Sequence, residues 1–208
     1  MVGGGPVDPG QLQLELHANP DSIIAVDLGG SRLLEAGALP TVLIGDLDSL
    51  PAPIVQQLAA SGTVVQRFPA AKDWTDMELA VDLALKSGAT KIHILGGLGG
   101  RFDHTLGNIG LLLKALEHGV EAHLLDPGHD IMLIKDKVSL KKRPGWALSL
   151  VPLSLKVSGV TTSGLVFPLN NEDLYIYNTR GIHNEFTQDN ALIEINQGIL
   201  MIIRFQED

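Results

Sequence analysis

Leu95-Gly96-Gly97-Leu98-Gly99-Gly100-Arg101-Phe102-Asp103-His104-Thr105-Leu106-Gly107-Asn108 is the stretch on which the fold turns. Before it, Lys91, Ile92, His93, Ile94 and Leu95 read as a strand. After it, Leu106, Ile109, Leu113 and Leu116 recur at helical spacing and predict a helix with those residues on its buried side. The glycines between let backbone approach a ligand closely. Asp103 stands where the helix should start and reads as its N-cap. Arg101 presents a fixed fork of donors suited to phosphate, and His104 could contact phosphate beside it. A strand, a glycine loop and a helix N-terminus together make a phosphate site. A tight turn capped by an aspartate is the competing reading of the same residues.

Two segments upstream tilt that balance. Thr41 to Ile44 is a β-branched run, and Gly45-Asp46-Leu47-Asp48-Ser49 leaves its C-terminal end. Lys72-Asp73-Trp74-Thr75-Asp76-Met77-Glu78 opens a helix running to Lys86, with Thr75 and Glu78 at capping-box spacing. Ser22 to Asp27 is another apolar run ending in a carboxylate. Asp27, Asp46, Asp48, Asp73, Asp76 and Asp103 thus all lie just after a predicted strand or at the start of the next helix. Such positions meet along the C-terminal edge of an open α/β sheet. Carboxylates brought together there repel unless a cation joins them. Hard oxygen ligands favour Mg²⁺, with phosphate oxygens completing its shell.

Outward from these segments, strands alternate with helices as far as Asp130 to Ile134. The pattern predicts a mainly parallel sheet with helices on both faces. Met1 to Pro6 reads as a strand end and its loop, and Pro9 to His17 as a helix, although Leu12, Leu14 and Leu16 alternate. From about Lys135 the texture changes to short β-like runs separated by Gly, Pro, Asn and Asp, which predicts an antiparallel β-sandwich. The expected division is an α/β part over 1–135 and a sandwich over 136–208.

Composition narrows the function. In 208 residues the formal charge is −9, and 45% are hydrophobic. The acidic balance argues against general nucleic-acid binding. No cysteine is present, so disulfides and thiolate chemistry are excluded. No apolar run approaches the ~18 residues of a membrane helix and no secretory signal is read, so a soluble cytoplasmic protein is expected. Neither G-x-x-x-x-G-K-[ST] nor G-x-G-x-x-G opening a helix occurs. Trp74 could pack at a helix start or stack on a base.

The three blocks Gly45 to Ser49, Lys72 to Ala80 and Gly99 to Asn108 resemble, in order and spacing, the signatures of the thiamine pyrophosphokinase family. Val26-Asp27-Leu28-Gly29-Gly30-Ser31-Arg32 is similar to the family's Asp-Gly-Gly-Ala-Asn-Arg block, with Leu28 and Ser31 as departures. Ser149 to Leu153 and Gly159 to Leu169 extend the resemblance through the second half.

That resemblance implies a nucleotide-binding α/β domain followed by a thiamine-binding sandwich, assembled as a homodimer. The implied reaction moves a diphosphoryl group from ATP to the hydroxyl of thiamine, giving thiamine diphosphate and AMP. It places Asp46, Asp48, Asp73, Asp76 and Asp103 around Mg²⁺ and the phosphates, with Asp46, Asp48, Asp76 and Asp103 as metal ligands. Asp27, Lys72, Thr75, Gly99, Gly100, Arg101 and His104 would hold the nucleotide. Thiamine, a cation bearing an aminopyrimidine, needs an aromatic face and hydrogen-bonding groups. Phe167 either supplies that face or fills the sandwich core, and Asn184 offers a donor and an acceptor to the aminopyrimidine edge. His183 stands where the family's Ser-Asn-Glu-like sequence has serine. A large imidazole there keeps open a same-fold diphosphokinase for another hydroxymethyl heterocycle, such as 6-hydroxymethylpterin. A non-catalytic nucleotide or thiamine sensor is the remaining alternative, although a sensor has no need of five carboxylates around a phosphate.

Overall fold

The computed structural model describes residues 1–207. It divides into two compact units, Met1–Pro127 and Gly128–Asp208. The strand His129–Ile134 therefore belongs with the second unit, whereas a division after Lys135 leaves it with the first.

The first unit is built around parallel strands. β1 (Ile24–Val26), β2 (Val42–Gly45) and β3 (Val64–Arg67) pair in parallel in the order β1-β2-β3. β4 (Lys91–Leu95) pairs in parallel with β5 (Glu121–Asp126). Val2 joins the two groups by bridging Ala25 on one side and Leu95 on the other. Its N–H donates to Ile24 O at 2.9 Å, and the Gly3 N–H donates to Leu95 O at 2.8 Å. The resulting order runs β3-β2-β1, the Val2 segment, then β4-β5. The chain works outward from Val2 on one side, then returns to build the other, so the crevice of an open sheet falls at the C-terminal end of that segment. Gly3, Gly4 and Gly5 occupy that end.

Helices pack against these strands: α2 (Gly29–Glu35) and α4 (Asp76–Lys86) against β1, α3 (Ala52–Ala60) against β3, and α5 (Phe102–Glu117) against β5. Apolar side chains fill the layer between. Leu33, Leu43 and Leu58 are wholly buried and share one cluster with Val2, Ala25 and Leu95. The alternating leucines of Pro9–His17 form a helix, α1, whose N-cap Asp8 accepts from the Gln11 N–H at 2.7 Å. It buries Leu12 and leaves Leu14 exposed. In α5 the buried side is Leu111, Leu112 and Ala115, and Leu106 is exposed. The inward face is thus rotated from the one the leucine spacing suggested, with Ile109, Leu113 and Leu116 only half-buried at its edge.

The second unit is antiparallel. β7 (Lys137–Lys141), β9 (Lys156–Ser163), β10 (Glu172–Tyr175) and β11 (Asn190–Glu194) form a sheet in the order β10-β9-β11-β7. Opposite it, β12 (Leu200–Gln206) lies between β6 (His129–Ile134) and β8 (Trp146–Pro152). Met132, Leu148, Leu150, Leu200 and Ile202 from the second face meet Leu140, Val157, Val160 and Ile193 from the first in one core. This is the sandwich expected from the short alternating runs. Among the described residues, no helix is long and apolar enough to cross a membrane.

Candidate active site

A cavity of about 650 Å³ opens in the first unit at the crevice just described. One side is the Gly4-Gly5 turn after Val2, another is Asp27 and Leu28 at the end of β1, and a third is the loop Gly96 to Arg101. Close approach of these turns leaves no room for side chains. A Cβ on Gly5 would lie 2.4 Å from Gly96 O. Asn108, in the second turn of α5, donates to Gly97 O at 2.8 Å and ties the glycine loop to the helix. Leu98 is buried within the same loop and anchors it.

Asp27, Thr75, Asp76, Gly100, Arg101, Asp103 and His104 all line this cavity, as the sequence reading expects. Asp46, Asp48, Lys72, Asp73 and Gly99 do not contribute to its wall. Asp46 and Lys72 nevertheless lie close enough to act on Asp27 by charge. Asp46 Oδ1 accepts from the Asp48 N–H at 3.1 Å and so closes its own turn, with Asp48 turned to solvent. Gly45 is required here, since a Cβ on it would fall 1.8 Å from Asp27 Oδ1 and its φ is +151°. The Leu47 N–H donates to that same Oδ1 at 3.3 Å.

The electrostatics fit a bound cation. Burial, with the charges of Asp76 and Asp46 adding to it, pushes the Asp27 carboxyl up to about 6. Asp76 Oδ1 is sealed from water and faces Lys72 Nζ at 3.0 Å. Arg101 grips Asp103 with both arms of its fork, Nε to Oδ1 at 3.1 Å and a terminal nitrogen to Oδ2 at 2.5 Å. That grip holds the Asp103 carboxyl below its usual range. Carboxylates that repel one another beside two cations make a hard-oxygen set suited to a divalent metal with phosphates.

Asp103 is not the N-cap it was expected to be. Thr75 caps α4, its Oγ1 accepting from the Glu78 N–H at 3.1 Å, which leaves Asp73 exposed ahead of the helix. Arg101 occupies the N-cap position of α5 without a side-chain bond, and Asp103 follows inside the first turn. Asp73 is therefore spared a capping duty, while Asp103 Oδ1 accepts from the His104 N–H at 3.0 Å. Trp74 does not pack at the helix start, being more than half exposed.

The residues expected to meet the acceptor lie in the second unit. Phe167 is 63% exposed and is not core. Asn184 is buried and takes part in a backbone pair with Leu148, donating its N–H to Leu148 O at 2.7 Å and accepting from the Leu148 N–H at 2.9 Å. His183 adopts φ +58°, and its N–H donates to Ser149 Oγ at 3.0 Å. Its ring lies 5.7 Å from that of Phe205, and Nε2 is 3.3 Å from Glu207 Oε1. The sequence reading passed over Gly4, Gly5, Ser49 and Asn108. The run Gly3-Gly4-Gly5-Pro6 was the available signal for the first two.

Comparison with known proteins places this geometry in context. Residues 14–124 match the model of the thiamin pyrophosphokinase catalytic domain, and residues 135–200 that of the thiamin pyrophosphokinase vitamin B1 binding domain. The chain is 33% identical to thiamine pyrophosphokinase of Bacillus subtilis (strain 168), over 87% of this chain and 86% of that one. Among solved structures, it superposes on thiamine pyrophosphokinase from Bacillus subtilis with TM-score 0.88 at 31% identity, covering 100% of this chain and 98% of the other. Thiamin pyrophosphokinase from Geobacillus thermodenitrificans gives 0.84 at 34% identity, covering 100% and 96%.

Proposed function

The chain belongs to the thiamine pyrophosphokinase family, and from that premise we propose how its residues divide the reaction. It transfers the diphosphoryl group of ATP to the hydroxyl of thiamine, giving thiamine diphosphate and AMP. The hydroxyl oxygen attacks the β-phosphorus and the bond from that phosphorus to the α,β-bridging oxygen breaks. AMP leaves with that oxygen, and the hydroxyl proton passes to solvent water. Transfer of this kind asks for positioning and charge neutralisation more than for covalent chemistry.

In our reading, ATP phosphates lie in the cavity of the first unit. The turns Gly4-Gly5 and Gly96 to Gly100 bring backbone to them, and Arg101 and Lys72 supply cationic donors. Thr75 and His104 lie on the wall to complete the polar contacts, and Asp27 closes the floor. Asp46, Asp48, Asp76 and Asp103 would hold Mg²⁺. When bound, that cation neutralises charge on the phosphate oxygens. Arg101 and Lys72 each sit on one of these carboxylates, so phosphate-binding cations and metal-holding anions are kept side by side. Asp73, free of capping, completes the acidic rim. The second unit receives thiamine, with Phe167 as the stacking face and His183 and Asn184 beside it.

We also assign a homodimer. Leu155, Ile176 and Tyr177 of the second unit are exposed, and the Ile176 N–H donates to Leu155 O at 3.2 Å. An apolar patch on a small sandwich suits a second copy of this chain.

One observation carries the reading: two glycine turns, Arg101 and the carboxylates Asp27, Asp76 and Asp103 share one cavity. The experiment is AMP release from ATP and thiamine with and without Mg²⁺, in the wild type, Asp76→Asn and Asp103→Asn. Turnover should require the metal and fall by orders of magnitude in both variants, with circular dichroism unchanged. Metal-independent turnover, or near-normal rates in both variants, would remove the assignment.

A further inference from the structure

Asn184 is the residue whose geometry departs furthest from what its place beside the acceptor suggests. Its side chain was expected to read the aminopyrimidine edge. Instead, Asn184 Nδ2 donates to Phe167 O at 2.8 Å, and Oδ1 accepts from the Phe167 N–H at 3.0 Å and from the Glu185 N–H at 3.0 Å. A carboxamide has two lone pairs on oxygen and two N–H donors. Both lone pairs and one donor are already committed, and the residue is only 5% exposed.

We propose that Asn184 is a positioning residue that acts on the acceptor through Phe167, gripping both peptide groups of that one residue so as to hold its ring in solvent. The proposal rests on the reading of the second unit as the thiamine site. A large apolar ring that is 63% exposed gains nothing for the fold by being held there. Fixed in advance, however, it costs little ordering when a flat ligand stacks on it. Thiamine offers two such surfaces, an aminopyrimidine and a cationic thiazolium, and a phenyl face attracts both. The brace is rooted in the sandwich, since Asn184 is tied to Leu148 in both directions and Leu148 is wholly buried. The Val166 N–H, donating to Glu185 O at 2.9 Å, adds a third tie between the two segments.

A mutant cycle on the full-length enzyme tests this, with KM for thiamine, KM for ATP and kcat measured for each protein. Phe167→Ala should raise KM for thiamine about 5- to 100-fold, the range of an aromatic stacking contact, and leave KM for ATP unchanged. Asn184→Ala should do the same to a similar or smaller extent. In the Phe167→Ala background it should add less than about twofold, because nothing is left to position. Should Asn184→Ala fail to fold, Asn184→Ser replaces it, its hydroxyl able to keep one of the two Phe167 ties. An undiminished effect of the Asn184 change in the Phe167→Ala background would overturn the proposal, as direct contact with thiamine would then be needed. An unchanged KM for thiamine in either single variant would overturn it too, while wild-type turnover of thiamine kept the reading beneath it intact. No wild-type turnover of thiamine would remove that reading and the brace together.

Discussion

Replacing Asp27 by Asn should stabilise the metal-free protein by an amount that grows from about pH 4 and is complete just above pH 6. The carboxyl is raised from 3.8 to about 6, first by burial and then by the charges of Asp76 and Asp46. A raised acid favours the folded state while it is protonated, and that benefit is lost as pH climbs through the folded value. The window therefore opens near 4 and closes just above 6. Fully shielded, a rise of this size corresponds to about 3 kcal/mol. Asp27 keeps partial access to water, so screening reduces the figure to about 1–2 kcal/mol. Asn is nearly isosteric, and its Oδ1 can still accept from the Leu47 N–H. At pH 8 in chelator, the variant should melt about 3–6 °C above wild type. At pH 3.5, below the unfolded value, the two should differ by less than about 1 °C. An equal shift at both values, or a loss of stability at pH 8, would refute the charge argument.

Arg101→Ala should lower kcat/KM for ATP by about a hundredfold or more, and Arg101→Lys should recover only part of it, since a point charge lacks the fork; steady-state kinetics with varied ATP decides. Removing the α4 cap by Thr75→Ala should cost about 1 kcal/mol, read as a melting point lower by a few degrees, while Thr75→Ser restores it. Sedimentation at micromolar concentration should give a dimer, and a fully active monomer would defeat that assignment.

Much of the first unit was legible in the residues. Asp27, Asp76, Asp103 and Arg101 fall where carboxylates and a phosphate-binding fork were expected, because strand-end positions of an open sheet converge by topology alone. What escaped has physical reasons. Val2 is a single bridging residue, too short to carry a strand pattern, and its place between β1 and β4 comes from pairing with Ala25 and Leu95. Hence Gly4 and Gly5 were read as a loop end rather than as the middle of the crevice. Asp103 was read as a cap because acidic residues cluster at helix starts. The helix starts one residue earlier than that reading assumes: Arg101 holds the N-cap position, so Asp103 lies inside the first turn, where its carboxylate accepts from the Arg101 fork and from the His104 N–H. Asn184 carries no sign in the sequence of whether its amide faces a ligand or its own backbone. Only the return of the chain from Phe167 to Asn184, across seventeen positions, fixes that.

The most direct measurement is phosphorus NMR of wild-type enzyme incubated with Mg²⁺, thiamine and ATP carrying ¹⁸O in the β,γ-bridge. Thiamine diphosphate should form in one-to-one ratio with AMP, with the labelled bridge intact within the product. Formation of ADP with thiamine monophosphate, or ATP left unconsumed beside thiamine, would mean that this chain does not move the diphosphoryl group as one piece.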